Sequence, residues 1–306
     1  MAVIAPPRPP AEPAPSRQRG WRLPKAQLTI AIVFLLGVLT VLYPTISSWM
    51  AQYQQSRQIV GYTMSVSDIG PQGRLDALAE AHRYNAAITG GAVVDAFTRL
   101  PVADRSEAAF DYHGLLAADH RGLMARLRIP AIDVDLPIFH GTSEAVLLEG
   151  IGHLEGTALP VGGADTHSVL TGHRGLAEAT MLNDLDTVDV GDRFTIETFG
   201  EVLTYEVVTT AVVEPHETQD LYPQPNRDLV TLVTCTPIGV NSHRILVTGE
   251  RVTPTPVHDV ATAGEEPTVP HFPWWTVALG LSLAGLSVYV WRAGRVAPQP
   301  DVAGGG

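Results

Sequence analysis

The sequence predicts a small, closed, mostly antiparallel β-barrel with short helices, preceded by a helical segment and flanked by two membrane helices. Three observations lead to that fold class. Two uncharged apolar stretches lie near the ends of the 306 residues, Leu28 to Trp49 and Phe272 to Trp291. Between Gly122 and Val252 short apolar and polar alternations succeed one another with turn residues between them, the pattern of successive strands. Those strands are not separated by the helical period that a βαβ fold requires.

Residues 1–27 form a Pro/Arg-rich tail carrying Arg8, Arg17, Arg19, Arg22 and Lys25. The positive-inside rule keeps that tail in the cytoplasm and sends the downstream chain outward. Residues 28–49 are long enough to cross roughly 30 Å of hydrocarbon. A cleaved signal peptide is the alternative; no clean small-x-small site comes after the apolar run, and the outward topology holds either way. Residues 50–88 are polar and helix-prone, with Leu75, Leu78, Tyr84 and Ile88 near helical spacing, and Gly70-Pro71 divides them into two pieces. Residues 89–120 are irregular.

The barrel is expected over 121–253. Ile132, Val134 and Leu136 alternate with Asp133 and Asp135, and Phe194 and Ile196 alternate with Arg193, Thr195 and Glu197. Leu203, Tyr205 and Val207 repeat the alternation after Phe199-Gly200, and MLNDLDTV supplies one short helix. Residues 254–271 are Pro/Thr/Glu-rich and read as a spacer. Residues 272–291 form the second membrane helix, with Trp274, Trp275 and Trp291 as interfacial belts. Arg292 and Arg295 beyond it return the tail, 292–306, to the cytoplasm.

Lysine and arginine total 20 against 32 acidic residues, a net charge of −12. The acidity is concentrated between the two apolar stretches, which suits a solvated surface and argues against nucleic acid as a partner. No Asp-rich loop has metal-ligand spacing, so neither metal nor cofactor is expected. A single cysteine, Cys235, excludes an internal disulfide and a Cys-rich zinc site.

Cys235 ends the strand-like run LVTLVTCTP and is followed by a polar loop, TPIGVNSHR, that returns into RILVTGER. A lone cysteine is commonly a small buried hydrophobe. At a strand end, however, a side chain reaches solvent, and a nucleophilic cysteine needs there a cationic or basic partner and donors for an oxyanion. His173, ending SVLTG at the Gly-flanked turn GHRG, is one candidate partner, and His243, eight residues from the cysteine, is its rival.

The strings THSVLTGHRG, TLVTC and NSHRILVTGER resemble the sortase family of cysteine transpeptidases. The longer string from Ile129 to Gly175, IPAIDVDLPIFHGTSEAVLLEGIGHLEGTALPVGGADTHSVLTGHRG, is similar to class C, the pilin-polymerising sortases. The resemblance implies a sortase-type barrel with Cys235 as nucleophile, His173 as the family histidine and Arg244 as the family arginine. It also implies that Thr234 helps line the substrate groove. VVDAFT, Val93 to Thr98, looks like the family's Asp-Pro-aromatic lid within 89–120, with Asp95 and Phe97 as its contacts and Ala96 where the family has proline. The implied reaction is cleavage of a Leu-Pro-x-Thr-Gly-like sorting motif through a thioacyl-enzyme and transfer to a lysine of a pilin subunit at the membrane. A sortase that anchors proteins to peptidoglycan and a catalytically silent assembly scaffold are the alternatives. A substrate carrying its own sorting signal is disfavoured, because GEEPTVPHFPWW before the second apolar stretch holds no such motif.

Overall fold

The computed structural model describes residues 21–88, 110–119, 121–176, 179–267 and 269–295. The chain packs as two units, one built from the two ends up to Tyr43 and from Pro273 onward, the other spanning Pro44–Phe272. The expected lid, with Asp95, Ala96 and Phe97, lies outside the described residues.

In the first unit, α1 (Lys25–Ala87) begins and α4 (Trp274–Ala293) ends, each with a stretch long and apolar enough to cross a membrane. Their polar ends are tied together. Trp21 Nε1 donates to the Trp291 carbonyl at 3.3 Å, Arg22 N donates to Gly294 O at 3.0 Å, and the Arg295 guanidinium stands 3.6 Å from the Trp291 ring centre. An arginine over an indole face is a favourable cation–π pair.

The second unit is a closed eight-stranded barrel. Its strands are β1 (Leu123–Ile129), β2 (Val134–His140), β3 (Ile151–His153), β4 (Thr166–Thr171), β5 (Arg193–Thr198), β6 (Glu201–Val213), β7 (Asp228–Thr236) and β8 (His243–Arg251). They close in the order β1-β2-β3-β4-β7-β8-β6-β5. The pairings are antiparallel except β2 with β3 and β4 with β7. The short helix α2 (Glu144–Glu149) crosses over between β2 and β3. Inward residues such as Leu127, Ile138, Leu170, Phe194, Leu232 and Val247 form one core, each fully buried.

Local chemistry explains where expectation and structure differ. The alternation at Ile132 begins as a 3-10 turn over Pro130–Ile132, because Asp133 adopts a left-handed φ of 50° and the strand starts only at Val134. MLNDLDTV folds as a 3-10 turn at Leu185–Thr187, with Leu182 and Leu185 buried. α1 bends at Gly70 (φ 76°, ψ 171°), just before Pro71, where the sequence divides it. Beyond Pro44, α1 is fixed to the barrel by backbone-directed side chains. Tyr62 OH donates to Met124 O (3.0 Å) and accepts from Phe199 N (2.9 Å), and Asn85 pairs with both the N–H and the carbonyl of Leu159.

The segment expected as a spacer is fastened to the barrel. It contains α3 (Val257–Ala261); Thr204 Oγ1 donates to Asp259 Oδ2 at 2.7 Å, and Thr255 Oγ1 donates to Val202 O at 3.1 Å. Arg126, 1% exposed, forks onto Asp135 with two 2.7 Å bonds and donates a third to Glu265 O. The bonds of Thr204, Thr255 and Arg126 that fasten this segment span 53 to 139 residues, which composition does not reveal.

Candidate active site

The site is built at one end of β4, β7 and β8. Inward Val230 and Leu232 join the main core, whereas Val233 belongs to a smaller cluster on the outer face with Val169, Leu221 and Leu246. The period of two therefore sets Cys235 on that outer face. Antiparallel register pairs Cys235 directly with Arg244 on β8, as Val233 pairs with Leu246. Nucleophile candidate and guanidinium are thus cross-strand neighbours, within reach of one another across a single rung. Arg244 is 9% exposed, and its Nη1 donates to the carbonyls of Asn241 (3.0 Å) and His243 (3.1 Å), so the loop it closes also aims it.

β4 runs parallel to β7 with Thr171 opposite Val233, and Gly172 N donates to Val233 O at 3.0 Å. Continuing that register by two residues brings His173 alongside Cys235. Gly172 permits the approach, because a Cβ there would stand 2.7 Å from Ile151 Cδ1 and 2.8 Å from Leu182 Cδ1. His173 is mostly covered, and its Nε2 lies 3.2 Å from Glu144 Oε1 at the start of α2. His243, the rival histidine, begins β8 on the rung beside Thr236, with its Nδ1 2.9 Å from Ser242 Oγ.

Thr234, implied by resemblance to line the groove, has a different contact. It is fully buried on the opposite face of β7 from Cys235, and its hydroxyl donates to Gly172 O at 2.8 Å. Two residues carry no recognisable signal in the sequence. Glu144 sits 29 residues from His173, and a Ser-Glu pair at a helix start signals a cap and nothing more. Arg174 donates from Nε to Asn183 O (2.8 Å) and from Nη1 to Thr236 Oγ1 (3.1 Å), and pairs with Asp186 at 2.6 Å. It thereby ties the turn after His173 to the residue after Cys235.

Below these groups the outer face is apolar, with Val169, Val233 and Leu246 flanked by Leu221, Leu154 and Val213. Thr171 shares this face, and its buried hydroxyl has no hydrogen-bond partner among the described residues. One layer further, His167 spans Tyr222 O (3.0 Å) and Thr231 Oγ1 (2.7 Å), and burial lowers its pKa. A cysteine, a histidine and an arginine gathered at one end of the sheet supply the residue types that acyl transfer through a thioester needs.

The likeness to known proteins agrees with this arrangement. Residues 127–252 match the sortase domain family. The crystal structure of sortase C-1 from Actinomyces oris is 48% identical, with 98% of that chain and 58% of this one covered at a TM-score of 0.54. The chain belongs to the sortase family of cysteine transpeptidases. Sortase C of Streptococcus pneumoniae, a structure described in terms of catalysis and pilin substrate specificity, is 36% identical over all of its chain and 66% of this one, with a TM-score of 0.59. Sortase D of Bacillus subtilis is 32% identical over 131 residues, which is 42% of this chain and 63% of that protein. The sortase match falls on the barrel, the part that holds Cys235, His173 and Arg244.

Proposed function

We propose that this sortase is a class C transpeptidase, anchored by two membrane passes with both termini cytoplasmic and the barrel outside. It cleaves a Leu-Pro-x-Thr-Gly-like sorting motif and joins the acyl fragment to a lysine of another pilin subunit. The observation that carries the reading is the rung pairing Cys235 with Arg244, with His173 at the adjoining end of β4. The sortase C neighbours support the class, and the two apolar helices support the anchoring.

In the first step the Cys235 thiolate attacks the Thr carbonyl carbon, and the oxyanion that forms is held by the forked donors of the Arg244 guanidinium. Collapse breaks the Thr–Gly bond, the departing Gly amine takes a proton from the His173 imidazolium, and a thioester remains. In the second step a lysine amine attacks the thioester, neutral His173 accepts its proton, and Cys235 leaves as thiolate. The product is an isopeptide bond. The chain's one lysine, Lys25, precedes the first membrane helix, so the outer domain offers no lysine of its own to intercept the thioester.

The test uses the full chain in detergent with a sorting-motif peptide. Intact mass should show an acyl adduct in the wild type and none in Cys235→Ala. Adding either a lysine-bearing peptide or a peptidoglycan-type peptide amine then decides the acceptor. An isopeptide product with lysine supports the reading, and turnover with the cell-wall amine alone assigns the enzyme to anchoring instead.

A further inference from the structure

We propose that Arg174 is a positioning residue that holds His173 and Cys235 on one level through its bond to Thr236. This rests on the transpeptidase reading above and adds to it a side chain that acts from behind the sheet.

Two cross-strand bonds bracket the pair. Thr234 Oγ1 donates to Gly172 O at 2.8 Å, one residue before each of the two groups. Arg174 Nη1 donates to Thr236 Oγ1 at 3.1 Å, one residue after each. Side chains alternate along a strand, so Thr236 shares with Thr234 the face of β7 turned away from Cys235. Both bonds therefore set the geometry of the site from its far side. The parallel pairing of β4 with β7 ends at Thr171 and Val233, and Gly172 N adds one further bond to Val233 O. Arg174 reaches β7 beyond the point where that ladder stops.

The guanidinium is itself fixed. The Arg174 side chain is 10% exposed, Nε donates to Asn183 O at 2.8 Å, and Nη2 pairs with Asp186 at 2.6 Å. The segment that receives it is packed in turn. Leu182 and Leu185 are buried, Leu182 N donates to His173 O at 3.1 Å, and Gly175 N donates to Asn183 Oδ1 at 2.6 Å. A planar fork serves acceptors on separate segments in fixed directions, which an ammonium on a flexible stem does not. An exposed arginine pair would contribute little; burial and two neutral acceptors set this one apart. Misplacing reacting groups by 1 Å can cost about 10²-fold in rate, so a bond that fixes the level of base and nucleophile acts on kcat and not on KM.

The experiment measures sorting-peptide cleavage, Cys235 alkylation and urea unfolding of the full chain in detergent, Cys235 being the single thiol. Thr236→Val keeps shape and removes the acceptor, and should lower kcat about tenfold with KM unchanged. Arg174→Gln removes the fork and should lose at least as much. The double variant should lose no more than Arg174→Gln alone, because both changes remove the same bond. Thr236→Ser restores the hydroxyl and should regain most of the rate, whereas Arg174→Lys should stay impaired. Alkylation should slow together with kcat, since the thiolate loses its aligned partner. A wild-type kcat in Thr236→Val, or a double variant whose loss is the product of the single losses, overturns the proposal. Lower stability with unchanged kcat in Arg174→Gln assigns the guanidinium to the fold alone and overturns it too. Should Arg174→Gln not fold, Thr236→Val against Thr236→Ser decides. If the wild type cleaves no sorting peptide, the transpeptidase reading fails separately, and alkylation then decides: slowing in Thr236→Val with recovery in Thr236→Ser supports the proposal, and equal rates overturn it.

Discussion

The hydroxyl of Thr234, the residue before Cys235, donates at 2.8 Å to the carbonyl of Gly172, the residue before His173. One buried bond therefore joins the backbones that carry the two groups, on the inner side of the sheet where substrate cannot compete for it. Thr234→Val keeps shape and removes the donor, leaving Gly172 O unsatisfied in a fully buried place. The expected cost is about 1–3 kcal/mol in urea unfolding, with slowed cleavage as the two strands lose their common level. Thr234→Ser should retain both stability and rate. Valine behaving as wild type in both measurements would remove this bond from the account.

Arg244 is aimed by Asn241 O and His243 O, and a lysine ammonium lacks the planar fork needed to keep those contacts while facing an oxyanion. Arg244→Lys should lose on the order of 10²- to 10³-fold in kcat, the scale of one oxyanion donor. Its combination with His173→Ala should fall far short of the product of the single losses, because groups acting as a unit are not additive. Steady-state kinetics on the sorting peptide give the answer, and near-normal turnover of the lysine variant would take the arginine out of the chemistry.

Much of this arrangement is legible in the sequence. Alternating Phe194, Ile196, Leu203 and Tyr205 announce β5 and β6, and a cysteine ending a β-branched run announces a strand terminus. Those signals are local, carried by residues two apart. The hidden part depends on contacts between distant segments. Glu144 meets His173 across 29 residues, Arg126 meets Glu265 across 139, and Thr234 reads as a groove residue until strand phase turns it inward. The spacer at 254–271 illustrates the same limit, since its composition is that of a solvated linker while its carbonyls and Asp259 are claimed by barrel side chains.

Acid should destabilise the barrel before its carboxylates titrate. His153 is fully buried, Tyr112 OH donates to its Nδ1 at 2.9 Å, and its Nε2 donates to Ala158 O at 2.9 Å, a set that neutral imidazole satisfies. Burial pushes its pKa down to about 4 from an ordinary 6.5, and lowers His140 and His167 as well. Between those values the unfolded chain binds more protons than the folded one, so stability is complete above pH 6.5 and falls as pH drops towards 4. His153 alone accounts for about 3 kcal/mol at the acid end. Urea midpoints measured from about pH 7.5 to about pH 5 should decline, and His153→Gln, though less stable throughout, should show a shallower slope. A flat profile in the wild type would contradict the buried neutral histidine.

The lid implied by family resemblance is tested by the chain's own composition. The resemblance implies a charge-assisted contact of Asp95 with Arg244 and cover of Cys235 by Phe97. Proline at position 96, which the family has and this chain lacks, would restrict φ and reduce the freedom of an open segment. Because Cys235 is the single thiol, the rate at which a small reagent alkylates it reports on this site alone. Asp95→Ala and Phe97→Ala should each accelerate labelling, since one loses the latch and the other the cover. Ala96→Pro should slow it, since the closed state then gives up less chain entropy. The three effects have different signs from one cause, which separates a lid from general loosening of the barrel, where all variants would label faster. Identical rates in all three, with unchanged circular dichroism, would show that the segment does not cover this cysteine.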